Sequence, residues 1–206
     1  DRPVPHEARA WCRRHGKYLI AGGKSYIDEA RNDYENTIYV IGPDGEEEFR
    51  QVKSIPVQFM QDGRPARSQA VWRSPWGRIG IGICYDLSYA RVMDPLIQEG
   101  AQALIIPAME LIQWGEQEHR LHAKIAPVRA REYGVPIFRA TSSGVSQLVD
   151  GTGRVVASAP FPGQNEIIAG VLPMGPPGRL PLDRFLAWPA VIAVAGLLVC
   201  LWSGRA

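Results

Sequence analysis

The strongest constraint on this chain lies near its C-terminus. Residues 185–202 read FLAWPAVIAVAGLLVCLW, eighteen positions without a charged side chain. As a helix rising ~1.5 Å per residue, the run spans roughly 27 Å, close to the ~30 Å hydrocarbon core of a bilayer. Trp188 and Trp202 stand near its ends, where interface-seeking aromatics collect. Arg179 and Arg184 precede the run and Arg205 follows it. Pro189 is expected in the first helical turn, where a missing N–H costs little. A core helix of a soluble domain is the competing reading, but such a helix normally keeps a polar face and this one has none. The expectation is a membrane helix over 185–202, a tail over 203–206, and a Gly/Pro-rich linker over 173–184 leading into it.

Residues 1–172 are expected to form one domain. Across the 206 residues, 23 Lys and Arg balance 21 Asp and Glu, a formal net charge of +2. That balance offers no electrostatic footprint for nucleic acid, so nucleic acid is not an expected partner. At 46% hydrophobic residues the chain is too apolar for disorder. Three cysteines do not make a disulfide framework in a chain of this length. The opening Asp1-Arg2-Pro3-Val4-Pro5 is polar and leads directly into an amphipathic stretch, unlike a signal peptide. The chain is accordingly read as a fragment of a longer protein.

Periodicity and turn residues supply the elements. Residues 6–15 read as a helix closed by Gly16, and 18–21 as a short strand stopped by Gly22-Gly23. Strands at 37–41 and 48–52 flank the turn Gly42-Pro43-Asp44-Gly45. The apolar strand 79–83, IGIGI, carries two glycines that imply close backbone approach. A helix at 90–98 ends near Gly100, and a buried strand at 103–106 stops at Pro107. Residues 116–132 read as one helix with a kink or break at Pro127. A strand at 135–139, a hairpin of 145–149 with 154–159, and a last strand at 167–172 complete the pattern. Alternating strands and helices flanked by hairpins argue an α/β fold with a mixed sheet.

Cys84 ends the IGIGI strand, in Gly82-Ile83-Cys84-Tyr85-Asp86. Sites in α/β sheets form just past the carboxyl ends of strands, although a free cysteine is also a common core residue. Lys53 ends the return strand of the first hairpin. It is either a solvated surface lysine or, if it reaches Cys84, a cation that favours the thiolate and stabilises an oxyanion. Glu116, His119 and His122 fall at i, i+3 and i+6 on the predicted helix, as channel-lining polar groups or metal ligands. They lack the HExxH arrangement, and no Cys/His cluster joins them, so no metal is expected. Neither a P-loop nor a GxGxxG fingerprint is present, and no cofactor is expected.

The ordered set of these features resembles the carbon–nitrogen hydrolase (nitrilase) superfamily across residues 6–172. Its carriers are the hairpin from Asn36-Thr37 to Lys53, the Cys84-Tyr85-Asp86 elbow, Arg129-Ala130-Arg131-Glu132-Tyr133-Gly134, Arg139-Ala140-Thr141-Ser142-Ser143-Gly144 and Asp150-Gly151-Thr152-Gly153. The resemblance implies a four-layer αββα sandwich, incomplete at its N-terminus, and a Glu-Lys-Cys triad. It makes Cys84 the nucleophile, Lys53 the oxyanion-stabilising lysine and the N–H of Tyr85 part of the oxyanion hole, with a thioester acyl-enzyme as intermediate. Asn36, Trp114 and Ser142 become the implied substrate-binding residues. The family's catalytic glutamate precedes the first helix and has no counterpart here, Glu7 lacking the required strand context. The fragment alone is therefore expected to be inactive. Many members carry another Glu about eight residues past the lysine, where this sequence offers Gln61 or Asp62.

With the C-terminal run added, the chain resembles the apolipoprotein N-acyltransferases. That implies a phospholipid acyl donor, a lipoprotein amine as acceptor, an inner-membrane location and a catalytic domain on the extracytoplasmic side. Trp114 and the loop after Pro107 would then meet acyl chains. The Tyr-Asp after Cys84 instead resembles the soluble amidases, so a membrane-tethered amidase acting on a small amide stays open, as does a non-catalytic binding domain.

Overall fold

The computed structural model of the chain describes residues 4–58, 60–163 and 166–203. Arg205 and the predicted tail beyond Ser203 lie outside the described residues. Helix α1 (His6–His15) ends at Gly16, whose φ of 59° is the left-handed cap expected from sequence. Strands β1 (Leu19–Asp28), β2 (Asp33–Ile41) and β3 (Glu47–Val52) form an antiparallel sheet in that order. A second sheet runs β4 (Val71–Ser74), β5 (Gly77–Ile81), β6 (Ala103–Ala108), β7 (Ile137–Thr141), β8 (Ser146–Val149) and β9 (Val155–Ala159). Its central strands β5, β6 and β7 are parallel and the outer pairs antiparallel. Helix α2 (Ala90–Gln98) connects β5 to β6, and α3 (Glu116–Ala123) with α4 (Ile125–Tyr133) connects β6 to β7.

Side-chain alternation explains the layering. On β2, Ile38 and Val40 pack against Trp72, Ile79 and Ile81 of the larger sheet, while Tyr39 and Ile41 point the other way, onto Cys12 of α1. On β6, Leu104 and Ile106 turn to a helix-covered core with Met93 and Leu96 of α2 and Ala126 and Ala130 of α4. The order is helix, sheet, sheet, helix, which is the αββα sandwich. Gly80 lies where a Cβ would stand 2.6 Å from Leu104 Cδ2 and 3.3 Å from Leu96 Cβ, so its lack of a side chain lets α2 close onto the sheet.

Several elements differ from the sequence reading. Strand β1 runs through Gly22-Gly23, because both glycines pair with Ile38 and Thr37 of β2. Strand β6 continues past Pro107: Ile105 O accepts from Gly82 N, so Pro107 turns its nitrogen to the side where β5 has already ended. The long helix breaks at Lys124, and Pro127 falls in the first turn of α4, where its missing N–H breaks no helical bond. Residues 167–172 form no strand; Ile167 and Val171 are exposed and Gly170 lies flat against Leu148.

Helix α5 (Asp183–Ser203) has 21 residues, and its most apolar window has a mean hydropathy of 2.3 with none of that window buried. Among the described residues it is the one helix long and apolar enough to cross a membrane. Pro189 sits inside the helix, since α5 begins two residues before the predicted run. Arg184 ties its start to the domain, donating to Asp94 at 2.9 Å and to Glu132 of α4 at 2.7 Å.

Candidate active site

Strand β5 delivers Cys84 at a sharp turn. Gly82 and Ile83 extend the strand, and Cys84 then adopts a φ of 52° before one turn of 3-10 helix over Cys84–Ser88. A left-handed, non-glycine backbone costs free energy and persists where surrounding bonds over-determine it, as at many active sites. Here Asp86 supplies them. Its buried carboxylate accepts from Ile83 N at 3.0 Å, Ile55 N at 2.7 Å and Ser54 N at 3.1 Å. It thus pins the elbow to the two residues that follow Lys53. Burial raises the Asp86 carboxyl above its ordinary value, and those three amides with the Lys53 charge work against the rise.

Lys53 follows β3, its amide donating to Asn36 O at 2.8 Å. Its side chain is buried, and the ammonium pairs with Asp62 Oδ2 at 2.5 Å. Asp62 also accepts from Val57 N at 2.8 Å and from the Asn36 amide. Gln61 instead contributes its carbonyl to the Tyr34 hydroxyl at 2.7 Å. Of the two residues offered by the sequence, Asp62 is the one beside the lysine.

One cavity of about 540 Å³ joins both sheets at this point. Cys84, Lys53, Asn36, Trp114 and Ser142 all line it, with Gly22, Gly23, Met60 and Met109. Tyr85 contributes its backbone, whose N–H is directed at the Cys84 sulfur. Burial pushes the Cys84 thiol up to about 11; the Lys53 charge opposes this, Glu110 adds to it, and Arg139 and the Tyr85 amide oppose it.

Behind Cys84 lies a group that sequence reasoning paired wrongly. His119 and His122 do not join Glu116, which pairs with Arg120 on the surface. They turn inward to Glu110, which is 1% exposed: His119 Nδ1 lies 3.0 Å from Oε2 and His122 Nδ1 2.5 Å from Oε1. Arg139 of β7 donates to the same Oε1 and to Val145 O. The Ser142 hydroxyl accepts from Glu110 N at 3.0 Å and donates to Glu110 O at 3.1 Å. Burial favours the neutral Glu110 acid, but the His122 bond, the Arg139 charge and the His119 bond outweigh it and hold the carboxyl below its ordinary value. Sγ of Cys84, an oxygen of Glu110 and a ring nitrogen of His122 lie within 4.8 Å of one another. These are possible metal donors, yet the Arg139 guanidinium on the same carboxylate works against a divalent cation there. Glu110, Arg139 and Asp86 were not singled out from sequence; the available signal was a charged residue inside the apolar strand VPIFR, which demands a buried partner.

The family model for carbon-nitrogen hydrolase matches residues 2–172. The chain belongs to the carbon-nitrogen hydrolase family. The omega-amidase NIT2-B of Xenopus laevis is 29% identical over 168 residues, 71% of this chain and 58% of that protein. An apolipoprotein N-acyltransferase of Bordetella bronchiseptica is 32% identical over 137 residues, 62% of this chain and 24% of that protein. The chain therefore spans little more than half of the first relative and a quarter of the second. Among solved structures, Nit3 of Saccharomyces cerevisiae superposes with a TM-score of 0.65 at 21% identity, covering 76% of this chain and 60% of that one. An amidase from Nesterenkonia sp. gives 0.66 at 18% identity, covering 75% and 61%. At such identity these two carry the nitrilase-like fold alone.

Proposed function

We propose that this carbon-nitrogen hydrolase family chain transfers an acyl group through a thioester on Cys84. The observation that carries the reading is the cavity in which the strained Cys84, the buried Lys53 and the Tyr85 N–H converge. The Cys84 thiolate attacks the acyl carbonyl, the S–C bond forms, and the bond to the leaving group breaks as that group takes a proton. Lys53 and the Tyr85 amide stabilise the oxyanion of the tetrahedral intermediate. Asn36, Trp114 and Ser142 line the substrate's path. A structure of the Nesterenkonia sp. AN1 amidase holds the acetamide moiety of fluoroacetamide on its active-site cysteine, which supports a covalent role for the matching residue.

Helix α5 favours a lipid substrate. Its exposed apolar surface, tied to the domain through Arg184, places the chain at a bilayer, where a phospholipid is the acyl donor and a lipoprotein amine the acceptor. The location proposed is the inner membrane, with the domain on its extracytoplasmic side. The greater coverage of the omega-amidase keeps a second reading, hydrolysis of a small amide by a membrane-tethered amidase.

Detergent-solubilised protein incubated with phospholipid vesicles is expected to gain an acyl mass on Cys84. Cys84→Ala is expected to lose both adduct and turnover while keeping its circular dichroism spectrum. Turnover retained by Cys84→Ala refutes the covalent mechanism, and an adduct formed from small amides but never from phospholipid selects the amidase.

A further inference from the structure

We propose that His122, oriented by Glu110, is the proton acceptor for the Cys84 thiol. The inference rests on Cys84 being the nucleophile and adds a second group to its activation. It begins with the tautomer. The Glu110 carboxylate 2.5 Å from Nδ1 can only accept, so Nδ1 carries the proton and the other ring nitrogen is a bare acceptor. That Nε2 is buried and has no hydrogen-bond partner, in a side chain only 9% exposed. An unpaired buried acceptor is costly and calls for a donor. The nearest candidate is the thiol, since Sγ, a His122 nitrogen and a Glu110 oxygen fall within 4.8 Å of one another. That separation suits one bridging water, or a direct bond once substrate tightens the site.

The surrounding charges fit the transfer. Glu110, reached from the loop after β6, faces the imidazole and would stabilise it as an imidazolium; Arg139 of β7 faces it with the opposite sign, 3.2 Å from Nδ1. From the elbow come Cys84 itself and the Tyr85 ring, 6.5 Å between centroids. On its own helix His119 holds the second Glu110 oxygen, stacked between Trp114 and Phe161. Lys53 acts on the sulfur and Glu118 on Tyr85. In the step, the S–H bond breaks and an N–H bond forms on His122. The thiolate then makes the S–C bond, and the imidazolium returns that proton to the departing amine or alkoxide. When water or an amine attacks the thioester, the C–S bond breaks and the proton released by the nucleophile ends on sulfur or His122.

The test is thiol reactivity, so it does not depend on which substrate the enzyme uses. Alkylation of Cys84 by iodoacetamide is followed by peptide mass spectrometry from pH 5 to 10 in the detergent-solubilised chain. In His122→Gln the midpoint is expected to rise by about one unit or more, with the rate at pH 7 down about tenfold. Protection of the buried Cys12 reports an intact fold in the same digest. A profile within about twofold of wild type overturns the proposal. A second measurement needs no variant. In 15N-histidine spectra of the wild type, His122 is expected to carry both ring protons while Cys84 is free, and one after capping by methyl methanethiosulfonate. One proton in both states also overturns it. A profile altered by a chelator in the wild type overturns it in favour of a metal. Loss of turnover in Cys84→Ala bears on the acyl-enzyme alone, so the two failures are distinguishable.

Discussion

Asp62→Asn probes the pair that fixes Lys53 in the cavity. The two side chains are 5% and 15% exposed, and they meet at 2.5 Å. Removing one charge of a buried pair leaves the other without compensation and costs about 3–5 kcal/mol. The residual exposure of Asp62 argues for the lower end, about 3 kcal/mol. The asparagine keeps the shape and one acceptor for Val57 N, so the loss is chiefly electrostatic. With a urea slope of about 2 kcal/mol per molar, the unfolding midpoint falls by about 1.5 M. Lys53→Met costs less, because Asp62 retains the Val57 and Asn36 donors. Combining the substitutions removes both charges together, and the double variant is expected to recover about 2 kcal/mol relative to the sum. Tryptophan fluorescence in urea, on the four proteins in one detergent, measures the cycle. A coupling below about 0.5 kcal/mol lies within ordinary additivity and would refute the claim that Asp62 holds Lys53 through charge.

Gly80→Ala is expected to destabilise by about 1–3 kcal/mol, since the new methyl meets Leu104 and Leu96 across the seam between β5 and α2; unchanged thermal stability would contradict that packing. Asp150 caps the turn between β8 and β9, and bonds from the Thr152 hydroxyl and the Arg154 and Thr152 amides hold its carboxyl down at about 2. Because the folded value lies below the ordinary 3.8, the turn's contribution is complete above that value and is lost as pH falls toward 2. The Thr152 amide shift in an acid titration should therefore move near pH 2; a midpoint near 3.8 would show that the cap does not form.

The sandwich was legible because its signals are local and periodic. IGIGI could be nothing but a strand closely approached, and Gly16, Gly42-Pro43-Asp44-Gly45 and Asp150-Gly151-Thr152-Gly153 each mark a turn by a conformation few residues adopt. What failed was pairing. Gly22-Gly23 reads as a stop, yet in a sheet the ladder with Ile38 and Thr37 keeps the strand going. Residues 167–172 have strand-like composition, but composition cannot say whether an edge is open to receive them.

The site divides in the same way. Cys84 and Lys53 announce themselves by standing at strand ends, and the shared cavity brings together Asn36, Trp114 and Ser142 as the family resemblance implied. Glu110 announces nothing: it sits in Ala108-Met109-Glu110-Leu111, without periodicity or motif. Its role exists only because β6 and β7 are adjacent and parallel, with Ala108 beside Thr141, so the loop leaving one strand meets Arg139 and Ser142 of the other. Helix α3 then adds two histidines to the same carboxylate. Helical spacing correctly put His119 and His122 near one face, and then misassigned their partner by looking along the helix. A buried arginine needs an anion from elsewhere in the chain, and so do two inward imidazoles held at Nδ1. When a buried charge has no partner within its own element, the strand across the sheet is the place to look, and here that search ends at Glu110, within 4.8 Å of the nucleophile.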